Sequence, residues 1–145
     1  MSSERTIIPD HVRTYVEGEL RAYRGLKAKM EQLKRDQEDI YHRSNQPRGE
    51  PVKGSHKGDP TATAAMLLER NSKEMNEIKK RIERIEAGLN ACDKRQKELI
   101  EIKYFSVVEP SDGEVMEYMY IGYRTGYYKL KFETLERAAK GMKVL

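Results

Sequence analysis

Apolar residues recur at alternating intervals of three and four along the first part of this chain. The stretch from about Pro9 to Tyr41 carries them at Val16, Tyr23, Leu26, Met30, Leu33 and Ile40. This spacing places the side chains on one face of a helix. Pro9 and Asp10 are typical of an initiating turn. The pattern therefore predicts a first long helix within residues 1–42.

A second periodic stretch follows the segment "DPTATAA". Asp59 can accept hydrogen bonds from first-turn amides, and Pro60 suits the first helical position because it lacks an N–H. Two sets of apolar residues then repeat every seven positions: Leu68, Met75, Ile82 and Leu89, and Ile78, Ile85, Cys92 and Leu99. This heptad pattern predicts a second long helix over residues 61–105. It fits an antiparallel hairpin with the first helix and a coiled coil between two chains equally well.

Residues 43–60, which include "RSNQPRGEPVKGSHKGDP", show no periodicity. They are rich in Pro, Gly, Ser and basic residues, so they are predicted to form a basic, flexible linker. Its cations are consistent with nonspecific phosphate contacts, but a solvated tether is the favoured interpretation.

Residues 106–145 are predicted to form a compact helical unit after the turn-rich segment "SVVEPSDG". "DGEVMEYM" predicts a short helix capped by Asp112, and "RTGYYKLKFETLERAAKGM" predicts a longer one. Between them, Gly122 is expected to adopt a positive φ, and Ile121 and Tyr123 to join the small core that sets the crossing angle. Two helices joined by a short glycine-containing turn match the layout of a helix-turn-helix.

The longer helix separates its residues into an inner and an outer set. Tyr128 and Leu135 belong to an apolar stripe and are expected inside, whereas Tyr127 lies about 100° away and is expected outside. The residues predicted to contact DNA bases and their flanking phosphates are Arg124, Thr125, Tyr127 and Lys129, with Lys131 on the DNA backbone. The alternative is the last helix of a bundle with a solvated basic face.

Composition supports an all-α protein with a thin core. Of the 145 residues, 36% are charged and 37% hydrophobic, which suits long helices with narrow buried seams. The net charge of +4 permits a polyanionic partner. Neither a signal-like N-terminus nor an apolar stretch that could cross a bilayer is present in the sequence, so a soluble intracellular protein without a membrane partner is expected.

Nothing in the sequence predicts an enzyme. Cys92 is the only cysteine and falls on the heptad seam, where a buried structural thiol is expected. The three histidines, His11, His42 and His56, are scattered and form no metal-ligand spacing. We therefore expect no catalytic residue, no metal and no cofactor.

Two segments of the chain resemble the DNA-binding end of the ArpU/RinA group of phage transcriptional regulators. They are "RQKELIEIKYF" and "DGEVMEYMYIGYRTGYYKLKFETLERAA", and "DPTATAA" before a long helix is also similar. The C-terminal unit of that group is similar to region four of bacterial sigma factors and follows a helical hairpin. The resemblance implies an activator of phage late genes that binds promoter or operator duplexes in the cytoplasm of a bacterial host cell.

Individual positions carry this resemblance. Ile121 and Gly122 match the Leu-Gly of the turn, the run from Tyr127 to Lys131 matches the recognition helix, and Leu135 matches its later core leucine. Arg124 departs from the pattern because a serine would ordinarily cap the helix there, which leaves Thr125 as the expected cap.

Several alternatives remain open for the partners and the function of the protein. A contact with host RNA polymerase and homo-oligomerisation through the heptad helices are both expectations of this interpretation. A small-terminase-type DNA-packaging protein also joins a helix-turn-helix to oligomerising helices. A structural coiled-coil adaptor without nucleic-acid binding is the third interpretation.

Overall fold

Five α-helices build the part of the chain that the computed structural model describes, residues 8–45 and 60–145. They are α1 (Asp10–Asn45), α2 (Pro60–Asn90), α3 (Lys94–Tyr104), α4 (Asp112–Tyr118) and α5 (Arg124–Gly141). Those two ranges contain no strand, so the all-α prediction is confirmed. Most of the predicted linker, with Arg48, Lys53 and Lys57, lies outside the described residues.

The helix predicted over residues 61–105 is two helices, because α2 ends at Asn90 and α3 begins at Lys94. Asp93 caps α3: its side chain accepts a hydrogen bond from the Gln96 N–H at 2.8 Å. The Gln96 side chain in turn accepts one from the Asp93 N–H at 2.9 Å. This capping box satisfies first-turn amides and starts a new helix. Cys92 lies before that start and Leu99 lies within α3, so the heptad pattern crosses a helix boundary.

The helices form two compact units. The first unit comprises Met1–Gly25 and Arg81–Leu145, of which residues 8–25 and 81–145 are described. The second unit comprises Leu26–Lys80. Both α1 and α2 therefore contribute residues to each unit.

The core of the first unit combines residues from all five helices. Its largest completely buried side chains are Val16, Leu20, Ile85, Leu99, Ile100, Val115, Tyr127, Thr134 and Leu135. Helices α1 and α2 contact each other here within one chain: the Arg84 guanidinium donates to the Tyr15 hydroxyl at 2.7 Å, and Arg81 donates to Glu19. Glu19 follows Tyr15 in α1, but its partner Arg81 precedes Arg84 in α2. The two helices therefore run antiparallel in this unit.

Two glycines let α5 approach α2 closely in the first unit. A Cβ on Gly141 would lie 2.5 Å from the Ala87 carbonyl oxygen and 2.8 Å from the Gly88 Cα. A Cβ on Gly88 would lie 2.9 Å from the Ala138 carbonyl oxygen. All three distances are too short for a real side chain, so this crossing requires glycine and fixes the C-terminal half of α5.

The second unit has a narrower core. Its buried apolar side chains, within the described residues, are Leu26, Leu33 and Ile78. Leu68 and Met75 of the predicted seam are half-buried. The Lys29 ammonium lies 3.3 Å from Glu74, which links α1 to α2 across this unit.

Candidate nucleic-acid interface

The first turn of α4 is capped by Ser111, whereas the sequence predicted Asp112. The Ser111 hydroxyl accepts from the Glu114 N–H at 3.2 Å, and the Glu114 carboxylate accepts from the Ser111 N–H at 3.0 Å. This second capping box makes Asp112 the first helical residue. Its carboxylate is therefore free to face other helices.

The turn from α4 to α5 begins at a Schellman motif centred on Tyr120, which has φ 58°. The Tyr120 N–H donates to the Glu117 carbonyl at 3.1 Å, and the Ile121 N–H donates to the Met116 carbonyl at 2.9 Å. The positive φ predicted at Gly122 is wrong, because the left-handed residue is Tyr120, two positions earlier, and Gly122 lies outside the left-handed region. Ile121, predicted in the core, is half-buried.

The two adjacent tyrosines of α5 do not occupy the places predicted for them. Tyr127 is 0% exposed, so its assignment as a DNA contact is wrong. Tyr128, predicted inside, is half-buried, with its ring 5.2 Å from that of Tyr127. The buried face is rotated from the predicted stripe towards Tyr127 and also includes Thr134, whose hydroxyl donates to the Leu130 carbonyl at 2.7 Å. Leu135 is completely buried, as predicted.

Asp112 joins α4 to α3 and α5 and explains this rotation. The Tyr127 hydroxyl donates to its carboxylate at 2.6 Å, and the ammonium groups of Lys131 and Lys103 lie 3.3 Å and 3.5 Å away. Burial, followed by the hydrogen bond to Asp112, raises the pKa of Tyr127. Burial opposes ionisation of Asp112, but the Tyr127 hydrogen bond and the charges of Lys131 and Lys103 outweigh it and lower the pKa of Asp112.

This network changes the role of Lys131. Its side chain is 12% exposed and its ammonium is paired with Asp112. The predicted contact of Lys131 with the DNA backbone is therefore replaced by a structural ion pair that holds α5 against α4.

A chain of polar contacts extends from Asp112 to α1. Lys103 also lies 3.4 Å from Glu109, and the Arg21 guanidinium donates to Glu109 at 2.6 Å. The Arg21 hydrogen bond, acting against burial, lowers the pKa of Glu109. The Tyr104 hydroxyl donates to Glu17 of α1 at 2.7 Å. Sequence analysis missed these residues, because their partners lie up to 88 positions apart and no local pattern signals them.

Three predicted DNA contacts remain exposed at the start of α5. We define the basic face as Arg124, Thr125 and Lys129, all of which are exposed. Within the described ranges, neither cation is paired with a carboxylate, in contrast to Lys131. The N-cap residue of α5 is Tyr123, which makes no side-chain cap hydrogen bond, so the capping role predicted for Thr125 is wrong.

Three exposed tyrosines precede the basic face along the chain. Tyr123 is 69% exposed, so its predicted place in the core is wrong. Its ring covers Gly126, where an added Cβ would lie 3.0 Å from the ring. Tyr118 is 72% exposed at the end of α4, and Tyr120 is 95% exposed in the turn.

A groove of different character lies between α3 and α4. It has a volume of about 590 Å³, and its lining includes the carboxylates of Glu101, Glu114 and Glu117 together with Ile102 and Val108. Three carboxylates repel phosphate. The basic face is therefore the better candidate for a polyanionic ligand.

Other kinds of site are not supported by the described residues. Across residues 8–45 and 60–145, no three His, Cys, Asp or Glu side chains converge in a way that suits a metal ion. No helix within those ranges has the length and apolar character needed to span a bilayer.

Comparison of the chain with protein-family models, with curated proteins and with solved structures finds no match.

Proposed function

We propose that this protein is a sequence-specific duplex-DNA-binding regulator of transcription, acting as a phage or prophage late-gene activator. In this proposal α4, the turn and α5 form a helix-turn-helix similar to sigma region four, and α5 is its recognition helix. The antiparallel α1 and α2 form the preceding helical hairpin.

The observation that carries the proposal is the uncapped, basic N-terminus of α5. Helices α3 and α4 both satisfy first-turn amides with capping boxes, whereas α5 makes no such side-chain bond. Unsatisfied N–H groups and the helix dipole favour an anion at that end. The exposed cations Arg124 and Lys129 add charge at the same place. Duplex DNA supplies phosphates for the amides and base edges for Arg124.

The polar network supports this role by orienting the helix. Asp112 binds Tyr127 and Lys131 on the inner side of α5, and the Gly88 and Gly141 contact fixes its far end. A helix held at both ends presents its outer residues in a constant direction, and such preorganisation reduces the entropic cost of binding. The basic face is built on that rigid support.

The proposal is tested with sheared genomic DNA from the source of the protein. We expect purified full-length protein to enrich one site near a late-gene promoter. Titration of that fragment should show affinity falling steeply with salt. The double variant Arg124→Ala, Lys129→Ala should bind at least about tenfold more weakly, and its plot of log affinity against log salt should be shallower by about two.

The matched control is Lys79→Ala, Lys80→Ala, which removes two exposed cations from α2 in the second unit. Both double variants have the same net charge, so only a local role of the basic face predicts different affinities. Enrichment of a packaging site would favour the small-terminase alternative. Equal affinity of the two variants, or no enriched fragment at all, would contradict the assignment of the basic face.

A further inference from the structure

Tyr120 occupies a backbone position that suits glycine. It is the residue after the C-cap of α4, with φ 58°, in the left-handed region, where the Cβ of an L-residue crowds the following carbonyl oxygen. Both Schellman hydrogen bonds of this turn use backbone groups, so glycine would preserve them.

The Tyr120 side chain does not stabilise the fold in a way that would offset this strain. Its ring is 95% exposed, and its hydroxyl makes no hydrogen bond to the described residues. A strained residue whose side chain does not pack is evidence for a role at the surface.

A second Schellman motif in the same unit provides a comparison. At the end of α5, Lys143 has φ 61°, its N–H donates to the Lys140 carbonyl at 3.1 Å, and the Val144 N–H donates to the Ala139 carbonyl at 3.1 Å. There the side chain has a structural use, because a cation beside a helix C-terminus interacts favourably with the helix dipole. The neutral side chain of Tyr120 obtains no such benefit.

The location of Tyr120 indicates a ligand. It lies four residues before Arg124, and four residues of chain reach at most about 14 Å. A DNA duplex carries one negative charge per roughly 1.7 Å of its axis, so a duplex bound at the basic face places phosphates within this distance. Bases in a duplex are stacked and paired, which leaves the phenolic O–H as the group that can bind, as a donor to a phosphate oxygen.

We infer that Tyr120 is a further DNA contact, whose hydroxyl donates a hydrogen bond to a backbone phosphate beside the α5 N-terminus. This inference rests on the proposed function and extends it with a contact outside the recognition helix. On this inference, the strained backbone at Tyr120 is retained because its side chain binds DNA. A phosphate contact carries no sequence information, so Tyr120 should contribute to affinity and not to specificity.

The test compares Tyr120→Gly, Tyr120→Phe and Lys143→Gly in the full-length protein, each titrated with the enriched fragment and with a mixed-sequence duplex. We expect Tyr120→Gly to raise the Tm by roughly 2–6 °C because it relieves the strain. Its affinity should nevertheless fall by roughly tenfold on both duplexes, as expected for loss of a hydrogen bond to a charged group. Tyr120→Phe should lose as much affinity, whereas Lys143→Gly should bind both duplexes like the wild type.

Several results would overturn the inference. Wild-type affinity of Tyr120→Gly would remove Tyr120 from the interface, and wild-type affinity of Tyr120→Phe would exclude the hydroxyl as the binding group. A lower Tm for Tyr120→Gly would reveal a structural role instead. If these variants bind normally while Arg124→Ala, Lys129→Ala does not, the inference fails and the proposed function stands. If the wild-type protein binds neither duplex, both fail.

Discussion

The two units of the chain achieve helix packing in different ways. The first unit closes over completely buried side chains such as Leu99 and Leu135, a glycine contact and a polar network. The second unit, as far as it is described, pairs two helical segments over Leu26, Leu33 and Ile78, which retain 6–9% exposure. The stability of a two-helix seam depends on few contacts, so we expect the first unit to be rigid and the second to open more readily.

The largest expected effect comes from replacing one buried leucine with alanine in each unit. Leu99→Ala should reduce the free energy of unfolding by about 3–5 kcal/mol, because a completely enclosed side chain leaves a cavity. Leu33→Ala should cost about 1–2 kcal/mol, because its surroundings can collapse and admit solvent. Urea unfolding followed by circular dichroism measures both variants.

Amide hydrogen exchange of the wild-type protein extends this comparison. Helical amides near Leu33 and Ile78 should exchange faster than those near Leu99 and Leu135, because local opening of the second unit leaves the first intact. Equal protection in the two regions, with equal costs for the two leucine substitutions, would contradict the contrast between the units.

The glycine contact in the first unit should give the next largest effect. Gly141→Ala forces a Cβ to within 2.5 Å of the Ala87 carbonyl and 2.8 Å of the Gly88 Cα, and backbone atoms cannot move aside as a flexible side chain would. We expect a loss of about 1–3 kcal/mol in the free energy of unfolding.

Gly18→Ala is the matched control within the same unit. Gly18 lies inside α1, and a Cβ there meets nothing within 4 Å. Alanine should stabilise the helix by about 0.5–1 kcal/mol, since it has the higher helix propensity. Thermal unfolding should therefore shift in opposite directions for the two variants, and a shared direction would show that helix propensity alone governs both sites.

Local patterns in the sequence were sufficient for helices with distinct starts and stops. The periodicity after Pro9, the turn before α4 and the Gly122 region indicated α1, α4 and α5 near their observed bounds. The boundary between α2 and α3 was missed because the apolar heptad continues across it. The signal was present in Asp93 and Gln96, which form a capping box three residues apart.

The candidate site was less predictable, because a distant residue decides which face of α5 is buried. A helical wheel cannot distinguish Tyr127 from Tyr128 when both are amphipathic and adjacent. The choice depends on Asp112, 15 positions before Tyr127, whose carboxylate accepts a hydrogen bond from the Tyr127 hydroxyl and pairs with Lys131. Arg124, Thr125 and Lys129 were predicted to be exposed on local grounds, since no apolar stripe includes them.

The smallest effect concerns the pH dependence of the first unit. The pKa of Asp112 is lower in the folded protein than in the unfolded chain, where an aspartate titrates near about 3.9. In that pH range the unfolded state binds more protons, so the stability from this carboxylate is fully present above about pH 4. It decreases as the pH falls through the unfolded value towards the folded one.

Asp112→Asn keeps an acceptor for Tyr127 but removes the charge that faces Lys103 and Lys131. The wild type should exceed this variant by about 1–2 kcal/mol at neutral pH, because the carboxylate is only partly buried and its ion pairs are partly screened. The difference should shrink as the pH falls below about 4, since protonation then removes the same charge from the wild type. Glu133→Gln, on an exposed position of α5, controls for the loss of one carboxylate. A difference between the wild type and Asp112→Asn that stayed constant from pH 7 to about pH 2.5 would mean that shape, and not charge, holds α4 against α5.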